Sequence, residues 1–532
     1  MSFSRIYSAQ TYLLKGKIVT IEVDITKGTL HAFTLVGLPD KAVEESKDRM
    51  SSALKNSGFV SPKNQNQKIV ISLSPADLKK EGPYFDLAIA LAYLLSAGEI
   101  DFDPEKRIFL GELSLNGELR PIKGALPLAQ EAKRLGYKEI FLPKENAKEA
   151  SLVEGIIVYG AQNLKEVVDH IYVPKKPAHP KNGVDGDKKG NLSEQEKPKL
   201  EPFPKTEIVY EEKIGGIDFS DIRGQEGAKR ALEIAAAGGH NVAMSGLPGT
   251  GKTMLARVFS NILPALNKDD ILEITGIHSI VGALDGNLIT EAPFRAPHHT
   301  ASYVSMIGGG ANIKPGEVTL AHRGVLFLDE FPEFEKRVLE SLRQPLEDNV
   351  VSISRAKGSA IFPSNFILVA AMNPCPCGNK GSKQKGCICK PSDLDRYKRK
   401  LSGPIMDRID IWTTVGAVDF EKLSNSEPEG EKTFSIKERV RKARDIQTKR
   451  FKSSPRKINT NSEMNVKELN IYAPLDEETK KILNQSAERL QLSARAYHRT
   501  IKLARTIADL EGSENISQSH ILEALQYRPK EN

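Results

Sequence analysis

The chain has 532 residues, a formal net charge of +7 and 39% hydrophobic residues, which is enough for several globular cores and too apolar for a disordered polymer. Its longest apolar run, Leu87 to Leu95, is too short to cross a bilayer, and its first residues lack the charged head and apolar core of a secretory signal, so a cytoplasmic protein without membrane association is expected. Thiols stay reduced in that compartment, which argues against disulfides for the four cysteines.

Residues 1–172 alternate strand-like runs such as KIVTIEVDI and QKIVISLSP with helical patterns, which predicts an α/β body. Residues 173–210 are rich in Pro, Gly and Lys and read as a flexible linker. From 211 to 415 the strands NVAMS, GVLFLDE and FILVAAMNP are almost wholly apolar, the pattern of a parallel sheet covered on both faces in a three-layer αβα core. A basic connecting region, 416–475, carries ten Lys/Arg between Lys437 and Lys457 against Glu438 and Asp445. A second basic stretch runs from Lys380 to Lys400. Such clustering fits a footprint for polyanions and equally a solvated helix face. Residues 476–532 turn to helical periodicity and predict an all-α lid.

The segment GLPGTGKT comprises Gly246, Leu247, Pro248, Gly249, Thr250, Gly251, Lys252 and Thr253, and it joins an apolar strand to a helical pattern. Glycines let backbone N–H groups turn inward around phosphate oxygens, and the following helix N-terminus adds partial positive charge. Lys252 is therefore expected to reach the β and γ phosphates of ATP, and Thr253 to ligate Mg²⁺. The strand GVLFLDE ends in Asp329, expected in the Mg²⁺ shell, and Glu330, expected to polarise the attacking water. Either motif alone is weaker than the two together.

Further residues enter through resemblance. FILVAAMNP resembles the strand of AAA+ ATPases whose polar tip helps position water, which implies that role for Asn373. LSGPIMDRID resembles the segment carrying their arginine finger, implying Arg408, with pairing to Asp407 or Asp410 as the structural alternative. SARAYHRTIKLARTIADLEG resembles the lid helix with the γ-phosphate-sensing arginine, implying Arg495. In the N-terminal body, EGPYFDLAIALAYLLSAG followed by FLGELSLNGELRPIKGALPLAQEAKRLG resembles the proteolytic domain of Lon-type proteases. Tyr84 and Leu126 occupy the nucleophile and base positions, and Lys123 stands in a different register, so peptidase activity is not expected.

Together with PFRAPHHTAS and VAAMNPCPCG, these segments resemble the ComM/YifB group of magnesium-chelatase-like AAA+ proteins over nearly the whole chain. The resemblance implies a hexameric, ATP-driven motor on single-stranded or branched DNA. It implies branch migration in natural transformation and recombination, with recombination proteins among the partners. Two rival readings are a magnesium-chelatase ATPase subunit and a chaperone-like remodeller of protein complexes. Between Glu347 and Asn365 the sequence reads as two short strands around Ala356 to Gly358, where related ATPases carry a pore hairpin. Arg355 and Lys357 would then meet DNA phosphates, although an ordinary solvated turn also favours charge.

His298 and His299 lack partners at metal-ligand spacing, so a structural role is expected for them. Cys375, Cys377, Cys387 and Cys389 form two CxC pairs in a short polar excursion after Asn373. Four soft thiolates with no apolar core to fold the loop suit structural Zn²⁺. The CxC spacing departs from the usual CxxC knuckle, and unmetallated thiols or redox and iron–sulfur chemistry are the alternatives.

Overall fold

The computed structural model describes residues 2–28, 30–172, 199–210, 217–284, 287–310, 313–355, 358–382, 385–417 and 430–529. The chain divides into two units, Met1–Val209 with Ile271–Leu288, and Tyr210–Asp270 with Ile289–Asn532. Most of the expected linker, 173–198, lies outside the described residues.

In the first unit the strand Lys15–Lys27 shows period-two burial, with Val19, Ile21, Val23 and Ile25 inward and polar residues between them. It pairs antiparallel with Phe3–Tyr12 and Gln67–Ser74, and Ala32–Val36 joins the far edge in parallel. Helix Asp86–Ala97 is apolar on nearly every side, lies buried in this core, and stops at Gly98, whose φ of 75° a left-handed cap requires. A second, all-parallel sheet comprises Arg107–Phe109, Glu139–Pro143 and Ile157–Ala161. Tyr84 is half-buried and packs edge-on to Phe85, while Leu126 is fully buried in the apolar core of the second sheet. Segment Ile271–Leu288 also belongs to this unit, where Ser279 Oγ accepts a 2.9 Å hydrogen bond from the Gly124 N–H.

The second unit is built on a five-stranded sheet in the order Phe294–Arg295, Val325–Leu328, Ile367–Met372, Val242–Gly246, Ile411–Val415, every pairing parallel. The three central strands are buried along most of their length, as their continuous apolar sequence requires. The C-terminal helices share this core. Leu483, Leu503, Ile507 and Ile521 cluster with Val242, Val369 and Ile411.

The basic stretch Lys437 to Lys457 resolves into two kinds of residue. Helix Thr433–Phe451 buries Ile436, Val440, Ala443, Gln447 and Phe451 at helical spacing. The stretch's arginines are engaged with protein. Arg439 pairs with Glu233 and Glu431, Arg441 with Glu438, Arg450 with Asp509 and Arg456 with Glu468, and Arg444 donates to the Ala236 carbonyl. Lys437, Lys442, Lys449, Lys452 and Lys457 remain exposed, so any long-range field from this region comes from lysines.

One buried carboxylate ties the C-terminal helices to the sheet. Asp410, 3% exposed, accepts from the Asn241 N–H at 3.0 Å and from Arg499, while His240 Nδ1 lies 3.6 Å away. Burial pushes its pKa up, but Arg499, His240 and the Asn241 N–H outweigh it and hold the carboxyl well below the usual range. Removing the charge in Asp410→Asn leaves the half-buried Arg499 without its anionic partner, and should cost about 3 kcal/mol in urea unfolding near neutral pH. Because the folded pKa is depressed, this contribution is complete above the unfolded carboxyl value of about 4 and fades as pH falls below it. The stability gap between Asp410→Asn and the parent chain should therefore narrow at acid pH, as measured by unfolding across a pH series.

Candidate nucleotide site

Parallel pairing decides which side chains meet. Ile367–Met372 lies between Val242–Gly246 and Val325–Leu328, with Ser245 opposite Met372 and Leu328 opposite Ala370. The loops leaving all three strands therefore open at one carboxyl edge, where α/β sheets bind ligands.

At that edge Gly249 and Gly251 have φ of 76° and 87°, turning the chain into helix Lys252–Asn261. Gly246 is constrained differently, because a Cβ there would lie 2.4 Å from the Val415 carbonyl oxygen. Lys252 Nζ folds back to donate to the carbonyls of Gly246 at 2.8 Å and Leu247 at 2.9 Å, and lies 3.3 Å from Asn373 Oδ1. Burial lowers the Lys252 pKa, with nearby Asp329 opposing the shift. Thr253 Oγ1 donates to Asp329 Oδ2 at 2.9 Å, so the two oxygens expected to ligate Mg²⁺ already face each other.

Glu330 stands in the left-handed region at φ 51°, a conformation that costs a non-glycine residue about 1 kcal/mol or more. Its N–H donates to Asp329 Oδ1 at 2.9 Å, and its carboxylate lies 3.0 Å from His299 Nδ1. His298 packs against His299 with ring centroids 4.1 Å apart and bonds Thr300 through Nδ1. The contact of His299 with Glu330 is not apparent from ligand spacing. The two-residue strand Phe294–Arg295 pairs with Val325 and Leu326, and the non-strand segment that follows it carries His299 to Glu330.

The two arginines meet on a residue that no motif marked. Arg408 is buried, donates to the Pro404 carbonyl at 2.6 Å and pairs with Glu347, in place of Asp407 or Asp410. Arg495 reaches the other oxygen of Glu347 at 2.6 Å. Burial acts to raise the Glu347 pKa, but the two guanidinium groups hold it below the ordinary carboxylate value. Glu347 precedes a hairpin of Val350–Arg355 and Gly358–Pro363, antiparallel with Arg355 opposite Gly358. Val351, Ile353, Ala360 and Phe362 form its buried face. The tip residues, Lys357 among them, lie outside the described residues.

The four cysteines converge. Their sulfurs lie within 4.8 Å of one another, with Cys375 to Cys377 at 3.4 Å, Cys377 to Cys387 at 3.7 Å and Cys375 to Cys387 at 3.8 Å. Tetrahedral zinc with Zn–S bonds of about 2.3 Å spaces its sulfurs about 3.8 Å apart, so the donor set fits. Backbone N–H groups of Asn379 and Ile388 push the Cys377 thiol down to about 6, while crowding among the thiols pushes Cys387 and Cys389 up, so without a cation the cluster favours one thiolate over four.

Comparison with known proteins identifies the group. The family described as magnesium chelatase, subunit ChlI matches residues 218–423, its ChlI subunit domain matches 21–146, and its C-terminal domain matches 430–528. Competence protein ComM of Haemophilus influenzae is 42% identical over 539 residues, covering 99% of this chain and 98% of its own length. The uncharacterized protein YifB of Escherichia coli is 38% identical, covering 99% and 97%. The chain belongs to the ComM/YifB family of magnesium-chelatase-like AAA+ ATPases. Lon protease 2 of Bacillus subtilis is 28% identical over 187 residues, 31% of this chain, in keeping with a Lon-like portion of a ComM/YifB protein. No helix among the described residues is long and apolar enough to cross a membrane.

For an ATPase of the ComM/YifB family with this phosphate loop, Lys252→Ala removes the ammonium that now rests on loop carbonyls. Affinity for a fluorescent ATP analogue should fall by about tenfold or more, as titration with the full-length chain will show.

Proposed function

We propose that this chain is an ATP-hydrolysing ring motor that moves along single-stranded or branched DNA. It assembles as a homohexamer in the cytoplasm and promotes branch migration in natural transformation and recombination, with recombination proteins as partners. The observation that carries the reading is the hairpin Val350–Arg355 and Gly358–Pro363, which is inserted between the strand ending at Asp329 and Glu330 and the strand ending at Asn373. Force on such an insert acts on the elements that hold the hydrolytic side chains. Full-length similarity to a competence protein supports DNA as what the hairpin grips. In the hairpin, Arg355 and Lys357 give the sequence-independent charge that a translocating motor needs.

In this mechanism the main-chain N–H groups of residues 246–253 cradle the phosphates, and Lys252 exchanges its carbonyl partners for the β and γ phosphate oxygens. Thr253 and Asp329 would hold Mg²⁺, which would spread the phosphate charge. Glu330, steadied by His299, orients and polarises the attacking water, with Asn373 fixing its position. Arg495 senses the γ-phosphate, and Arg408 leaves Glu347 to neutralise charge in the neighbouring subunit's site. Cys375, Cys377, Cys387 and Cys389 would hold a structural Zn²⁺. The N-terminal domain, residues 1–172, serves as an assembly platform without peptidase chemistry, since neither Tyr84 nor Leu126 supplies a nucleophile with its base.

Glu330→Gln should keep ATP bound and stop turnover, and Arg408→Ala should do the same. Mixed rings should regain part of the activity, because an intact Glu330 on one subunit can then face an intact Arg408 on the next. Steady-state hydrolysis across mixing ratios measures this, and flat inactivity at every ratio would remove the finger role.

Replacing Arg355 and Lys357 together by Ala should weaken DNA-stimulated hydrolysis and strand displacement. The slope of log affinity against log salt should become shallower by about 0.7–0.9 per lost phosphate contact. Hydrolysis indifferent to DNA of every form would favour a chelatase subunit or a protein remodeller.

A further inference from the structure

The cysteine excursion is fastened to the nucleotide site at three points. It starts two residues after Asn373, and Cys375 is fully buried. The turn that follows, closed by the Gly378 N–H on the Cys375 carbonyl at 2.9 Å, lies against the phosphate loop. A Cβ built on Gly378 would stand 2.6 Å from Pro248 Cγ and 2.9 Å from its Cδ, and Gly378 has φ of 79°. Glycine is thus required both by the backbone and by the proline ring. After Cys389 the chain enters helix Pro391–Lys400, which returns to the same place. Tyr397 Oη donates to the Asn373 carbonyl at 3.0 Å, and Lys400 Nζ pairs at 2.6 Å with Glu333, three residues beyond Glu330.

Pro248, Asn373 and the turn after Glu330 are therefore bridged by the cysteine excursion and the helix Pro391–Lys400 that follows it. Cys387 and Cys389 are not buried, and the loop between the CxC pairs is polar, so apolar packing does not hold this bridge closed. Metal bonds among the sulfurs would close it.

We propose that Cys375, Cys377, Cys387 and Cys389 form a zinc-held strut on the nucleotide site, so that ATP affinity depends on the metal. The inference rests on the zinc assignment proposed above and adds to it a direction of action, from the thiolates through Gly378 to Pro248 and through Tyr397 to Asn373.

The test uses the full chain. Zinc is counted by elemental analysis, and affinity for a fluorescent ATP analogue is measured in Mg²⁺ before metal removal with a mercurial and thiol wash, after removal, and after adding zinc back. The expected result is about one zinc per chain, an affinity loss of about tenfold on removal, and recovery with zinc. A second variant, Gly378→Ala, keeps all four thiols but drives a Cβ into Pro248. It should retain zinc and stay folded, with a melting temperature lowered by a few degrees through the strained left-handed turn, while binding the analogue about tenfold more weakly. If zinc removal unfolds the chain, Gly378→Ala decides alone: weaker binding with zinc retained upholds the contact with Pro248 through which the strut acts, and parent-like binding overturns the strut. Absence of zinc in chelator-free protein would remove the metal assignment and the strut together. Zinc present, with affinity unchanged both by its removal and in Gly378→Ala, would overturn the strut and leave the metal site standing.

Discussion

The second unit depends on one act of strand pairing, the insertion of Ile367–Met372 in parallel between Val242–Gly246 and Val325–Leu328. Parallel strands leave their loops at one edge, and a strand placed between two others sets the distance between their tips. Here that spacing lets Lys252 touch Asn373 and lets Thr253 touch Asp329 across sequence separations of 121 and 76. The cysteine excursion leaves from the tip of the central strand, and the hairpin interrupts the chain just before that strand begins. A slip of one residue in this pairing would turn every buried side chain of the strand and separate the polar tips.

Asp410 gives the sheet a second anchor at the opposite end of its edge strand. The residue precedes Ile411–Val415, and through Arg499 and the Arg528 contact with its carbonyl it fixes the C-terminal helices against that strand. Burial makes the anchor selective as well as strong. A charge in a low-dielectric site tolerates only partners that fully compensate it, so the helices carrying Arg495 are held in one register relative to the sheet.

Much of this was legible in sequence because the signals were local. The phosphate loop, the acidic pair after an apolar strand, Asn373 at a strand tip and the four cysteines each occupy a short stretch whose chemistry is complete in itself. The misses share a different cause. His299 reaches Glu330 from a turn beyond the strand Phe294–Arg295, and Glu347 collects two arginines from segments 61 and 148 residues away. Neither long-range partnership is written in the neighbouring residues. The basic stretch was half legible: its helical spacing was present, but which cations turned inward depended on carboxylates elsewhere, among them Glu233, Glu468 and Asp509. The placement of Ile271–Leu288 in the first unit is long-range in the same way, with Leu272 and Leu288 packing against that unit's core.

Glu347 carries one further consequence. A single carboxylate shared by Arg408 and Arg495 holds each less tightly than it would hold one alone, because each guanidinium cancels part of the negative potential that the other sees. Any competing anion near either guanidinium changes the ownership of that charge, and the arginine left behind then binds Glu347 more tightly. The two cations thus act as a coupled pair with opposite responses. Their common ligand sits one residue before Asp348, where the helix ends, and three before Val350, where the hairpin begins, so the shared charge lies at the hairpin's root.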